Sequence, residues 1–160
     1  MKIMKYNILK LGIAMTLLFS SNACSDDDKE MTNDNSVLIQ EAKEVATNGS
    51  WIISSYIEST IDQTSNFSGY TFTFNTDGTL IAIKDSSNIE GTWSVTDDDS
   101  SMDDSPDDDI DFNIFFTNPT EFSELSEDWE IRTINSSTIE LRHISGGDGD
   151  IDTLTFVKSN

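Results

Sequence analysis

The sequence predicts an all-β protein, an up-and-down antiparallel barrel of about eight strands behind a short N-terminal helix. Three observations carry this. Downstream of Gly49 the apolar residues recur with period two in short segments rich in Ile, Val, Thr and aromatics. Asn, Asp and Gly punctuate these segments at the short intervals that hairpins need. Upstream, one stretch alone in the folded part has helical spacing and a proper stop. Consecutive hairpins of this number close on themselves, because a twisted sheet of about eight strands brings its first and last edges together.

The helix is expected from Ser36, which can cap it, to about Thr47, with Leu38, Ala42 and Val45 on one face and Asn48-Gly49 ending it. Strands are then expected over Trp51–Glu58, Gly69–Asn75, Thr79–Lys84, Thr92–Thr96, Ile110–Phe116, Trp129–Ile134, Thr138–Ile144 and Asp152–Lys158. In the second of these Tyr70, Phe72 and Phe74 alternate with threonines, which turns the aromatics inward. Ile110-Asp111-Phe112-Asn113-Ile114 repeats the pattern. Asn75-Thr76-Asp77-Gly78 reads as a tight hairpin turn, since Asp-Gly tolerates positive φ. Asn88-Ile89-Glu90-Gly91 and Ser145 to Asp150 read as the turns before the fourth and last strands, and Glu121 to Glu127 as a helix between the fifth and sixth.

The leader has three lysines (Lys2, Lys5, Lys10), an apolar run from Leu11 to Phe19, and then small residues, which is the layout of a secretory signal. The run is far short of the roughly 20 apolar residues that span a bilayer. Ser21-Asn22-Ala23-Cys24 resembles the lipobox of bacterial lipoproteins, which implies cleavage before Cys24 and acylation of that residue. It is the one cysteine, so it has no partner for a disulfide. Several acyl chains, at about 0.8 kcal/mol per buried CH₂, would make a permanent anchor. Ser25, Asp26, Asp27 and Asp28 follow at once and resemble the export signal that takes Bacteroidetes lipoproteins to the outer face of the outer membrane. As plain polymer, the same tract is a solvated acidic tether. The expected organisation is a signal peptide over 1–23, a lipidated acidic tether over 24–35 and the barrel domain over 36–160.

Gly49-Ser50-Trp51, the run from Tyr70 to Thr79, Gly91-Thr92-Trp93-Ser94-Val95 and the closing Leu154-Thr155-Phe156-Val157-Lys158 resemble, in this order, the lipocalin-like domains of Bacteroidetes lipoproteins. The resemblance covers about Gly49 to Lys158 and implies an eight-stranded barrel behind an N-terminal helix. It brings no ligand with it.

Acidic residues number 30 against 9 Lys plus Arg, a formal net charge of −21. Nucleic acid is excluded as a partner, because phosphate binding needs clustered cations. Nothing points to an enzyme. His143 is the sole histidine and sits in an expected strand, and no nucleophile motif, phosphate loop or His/Cys metal spacing accompanies it. Carboxylate pairs are too numerous to single one out. No cofactor is expected. Two acidic stretches permit calcium weakly: the eight aspartates from Asp97 to Asp109, and Asp148, Asp150 and Asp152. The first lacks the glycine and the bidentate glutamate of a defined calcium loop, and the second has Thr153 where the sixth-position glycine belongs. The aromatics Trp51, Tyr70, Phe72, Trp93, Phe112 and Trp129 have two readings, a filled core or the lining of a cup for a small apolar ligand. The expected function is accordingly a lipid-anchored, surface-exposed binding or accessory module for a small apolar ligand. The alternative is a structural or protein-interaction subunit with a filled barrel.

Overall fold

The computed structural model describes residues 35–97, 110–145 and 149–160. The expected signal peptide, Cys24, the expected export signal over Ser25 to Asp28, most of the acidic insert and Asp148 lie outside the described residues. Helix α1 (Asn35–Thr47) leads into strands β1 (Trp51–Glu58), β2 (Ile61–Asp62), β3 (Thr71–Phe74), β4 (Thr79–Lys84), β5 (Ser87–Asp97), β6 (Ile110–Phe115), β7 (Asp128–Ile134), β8 (Thr138–Ile144) and β9 (Ile151–Lys158). A 3₁₀ turn (Thr64–Phe67) follows β2, and a single-turn helix α2 (Thr120–Ser123) precedes β7. From β3 to β9 every strand pairs antiparallel with the next, and β9 pairs back onto β1 over six residue pairs from Trp51↔Lys158 to Ile57↔Thr153. Eight strands therefore close a barrel, as expected, and β2 is a short flap on β1.

Helix α1 packs on β5 and β3. Its buried residues are Asn35, Ala42 and Ala46, with Ile39 and Val45 partly covered, so the inward face differs from the expected one: Leu38 is exposed. Small alanines on that face let the helix lie close on the sheet. The helix begins at Asn35, whose amide donates to Asp97 Oδ1 at 3.1 Å, and this puts Ser36 inside the first turn. At the far end the Trp51 indole donates to the Ala46 carbonyl at 2.8 Å, satisfying an acceptor the helix cannot use. Gly49, at φ 103°, takes the left-handed conformation that reverses the chain into β1.

The hairpin between β3 and β4 is as expected. Gly78 has φ 86°, and the Asp77 carboxylate accepts from Thr79 N and Oγ1 at 3.0 and 2.7 Å. The fourth strand differs. Asn88 to Gly91 belong to β5, paired with β4 through Ile83↔Asn88 and Leu80↔Gly91, and the chain reverses instead at Asp85-Ser86. Aspartate supplies the left-handed residue there, at φ 52°. The expected helix over Glu121–Glu127 shrinks to the single turn of α2, after which Leu125, Ser126 and Glu127 run on in tight turns. Its function in the fold is to plug one barrel end: Phe122 and Leu125 are buried, and the Glu124 and Leu125 carbonyls accept from Tyr56 Oη at 2.9 Å and Trp129 Nε1 at 3.1 Å.

Candidate functional site

Of the six aromatics the sequence singles out, Trp51, Phe72, Phe112 and Trp129 are wholly buried and Trp93 is nearly so, while Tyr70 stands partly exposed in the wall. Period two explains the first five, since each occupies an inward position of its strand. The rings meet edge to face. Phe74 touches Trp93, Phe112 and Phe156 at centroid distances of 5.2–5.5 Å, Phe72 touches Phe156 at 5.4 Å, and Phe122 gathers Phe67, Tyr70 and Phe116 at 5.0–5.3 Å. Such contacts add about 0.5–1.5 kcal/mol each beyond burial.

Among the described strands, the wall is interrupted between β1 and β3. Strands β1 and β3 share a single residue pair, Trp51↔Phe72, and then diverge, with the 3₁₀ turn between them. A bulge between Ile53 and Ser55 turns β1 away. The outer edge of β1 is met there by the turn: Tyr56 N donates to Thr64 Oγ1 and Gln63 N to the Tyr56 carbonyl, both at 2.9 Å. The divergence leaves a cleft of about 580 Å³ with Ile52, Ile53, Phe67 and Tyr70 as apolar lining and Asp62, Thr64, Ser65 and Ser68 as polar rim. Ile52 is 39% exposed. Lys84 braces two of the lining residues, its Nζ donating to the Ser68 carbonyl at 2.7 Å and lying 5.4 Å above the Tyr70 ring. Tyr70 is the one residue of the expected pocket that lines this cleft. Ile52 and Phe67 were missed, because neither the bulge nor the strand divergence has a local signature.

The α2 end of the barrel is acidic. Glu58, Glu121 and Glu124 surround Tyr56 in a second hollow of about 320 Å³. Burial, and after it the charges of Glu58, Asp152, Glu124 and Glu127, drive the Tyr56 phenol far above its ordinary range. Asp152, buried at this end, accepts from Ser59 N at 2.6 Å. His143 stands opposite Asp152 in the β8–β9 ladder. Its Nδ1 lies 3.2 Å from the Asp128 carbonyl oxygen and its Nε2 3.5 Å from Glu127 Oε2. Burial lifts the Glu127 carboxyl above the usual carboxylate range, the His143 ring opposes this, and Asp128, Asp152 and Glu124 reinforce it. No nucleophile faces this histidine among its described partners.

No protein family matches the chain, and no curated protein matches it. Solved structures similar to it include a DUF4847 family protein from Bacteroides vulgatus, 18% identical over 73% of this chain and 96% of that one, with a TM-score of 0.43. A lipocalin-like protein from Bacteroides uniformis is 14% identical over 71% of this chain and 99% of that one, with a TM-score of 0.42. Likeness at this level says nothing of ligand or activity, and the functional reading rests on this chain's own residues.

Proposed function

We propose that the protein is a lipid-anchored, non-catalytic module on the outer face of the outer membrane that binds a small apolar ligand in the cleft between β1 and β3. The barrel interior, occupied by the protein's own rings, serves as the rigid support of that cleft. The observation that carries the reading is the apolar lining around Ile52 and Tyr70 where β1 and β3 diverge, bordered by a few hydroxyls and a carboxylate. Apolar walls with sparse polar groups are what small-molecule sites share. Anchoring at Cys24 and export through Ser25 to Asp28 rest on the sequence pattern alone.

One observation favours a second occupant, an extended segment of a protein partner. Strands β1 and β3 flank the cleft with backbone that pairs across it at one position only, and added strands exploit such edges. The test uses a neutral naphthylamine dye that fluoresces on entering apolar sites. Saturable brightening with the parent, lost in Ile52→Glu, supports the cleft. Ile52 points outward, so the charge leaves the core intact. Equal brightening in both proteins overturns the assignment, and absence of brightening in either favours the partner strand.

A further inference from the structure

A nitrogen of His143 and one carboxylate oxygen each from Glu127 and Asp128 lie within 4.8 Å of one another at the α2 end of the barrel. We propose that these three side chains form a site for a divalent transition-metal ion of the zinc class, a role separate from the cleft. The ring's orientation comes first. A carbonyl oxygen has no hydrogen to give, so the 3.2 Å contact with the Asp128 main chain engages an Nδ1 proton and turns the Nε2 edge of the ring toward Glu127. Metal-binding histidines are held in the same way, one nitrogen bonded to a carbonyl or carboxylate and the other presented to the ion.

Nε2 faces Glu127 Oε2 at 3.5 Å. A proton on Nε2 can hold that approach as an ion pair, and the spacing also matches the about 3.4 Å between two ligands of a tetrahedral zinc with bonds of about 2.0–2.1 Å, so an ion can take the proton's place. The Asp128 carboxylate is 66% exposed, has its Oδ1 3.4 Å from Nδ1, and is the third candidate ligand of the cluster. Behind the ring, Trp129 packs edge to face at 6.1 Å, and Asp152 across the ladder adds a further negative charge. The nitrogen donor and the small ligand number select zinc-like ions over calcium, which takes six to eight oxygens.

His143 is the single histidine of the chain, so its ring resonances can be assigned without ambiguity. The full chain, purified in detergent and stripped with a chelator, is titrated with Zn²⁺ while these resonances are followed. The expected result is a shift of the Nε2 signal that saturates at one equivalent, no response to Mg²⁺, and Zn²⁺ affinity lower by roughly tenfold or more in Glu127→Gln. Circular dichroism verifies the fold of that variant. Ring signals indifferent to Zn²⁺ at about 1 mM, far above the affinity of such ligand sets, overturn the proposal. So does Zn²⁺ affinity unchanged in both His143→Ala and Glu127→Gln, because the ion then sits elsewhere, as on the aspartate runs.

Discussion

Gly91 in the middle of β5 and the ring of Phe116 occupy adjoining space so fully that a β-carbon on Gly91 would stand 2.5 Å from Phe116 Cδ1 and collide with the Phe115 carbonyl. Phe116 has no room to withdraw, being 1% exposed and packed at 5.1 Å against Phe122. Gly91→Ala is therefore expected to lower stability by about 1–3 kcal/mol through overpacking, the opposite of the usual gain from removing a strand glycine. A urea midpoint equal to or above the parent's would show that the β5–β6 contact is looser than described.

Trp93 ties β5 to the β3–β4 hairpin twice over. Its indole donates to the Asn75 carbonyl and its main-chain N–H to the Gly78 carbonyl, both at 2.9 Å. The ring also contacts Phe74 and Phe112 at 5.2 and 5.5 Å. Trp93→Ala is expected to cost about 3–5 kcal/mol as a large core deletion. Trp93→Phe keeps a ring and leaves the Asn75 carbonyl to the Gly78 N–H alone, at about 0.5–1.5 kcal/mol. Denaturant unfolding followed by circular dichroism should rank the three proteins in that order.

Tyr56 sets an alkaline limit. Its phenol is raised above the model-compound value of 10.0 by burial first and then by the carboxylates around it. A group whose folded pKa exceeds its unfolded one leaves stability intact below the unfolded value and erodes it as pH rises beyond. Stability should accordingly hold up to about pH 10 and fall above it. Tyr56→Phe removes the hydrogen bond to the Glu124 carbonyl, costing about 1 kcal/mol at neutral pH, and should flatten the alkaline decline. Urea midpoints of both proteins at neutral pH and above pH 10 test this, and parallel declines would refute the Tyr56 assignment.

Strands β4 and β8 match their sequence-based bounds residue for residue, because alternation is clean in both and turn residues stand at their ends. The start of β5 was misplaced for a physical reason. Asn88 to Gly91 has turn composition, yet Gly91 is required by Phe116 and Ile89 packs on the core, while the true turn at Asp85-Ser86 contains no glycine. The inward aromatics were readable from period two. The cleft was not, since it depends on the β1 bulge and on a 3₁₀ turn wedged between strands. The His143 cluster was equally hidden, because only the pairing of β7 with β8 brings His143 to Glu127 and Asp128.

The proposed address yields the last prediction, and it separates two properties of one short segment. Cys24 supplies the only thiol that acyl chains can use, so Cys24→Ala should release the protein from the membrane fraction entirely. Asp26, Asp27 and Asp28 have no part in that chemistry. Replacing all three with Ala removes three negative charges from the tether and leaves the acylated residue untouched, so the variant should stay membrane-bound while shifting from the outer face to the periplasmic face. Protease treatment of intact cells, followed by fractionation, reads both effects at once: the parent is digested, the triple variant is protected but sediments with membranes, and the Cys24 variant is soluble. A triple variant as accessible to protease as the parent would mean that the aspartates are tether only and that export is specified elsewhere.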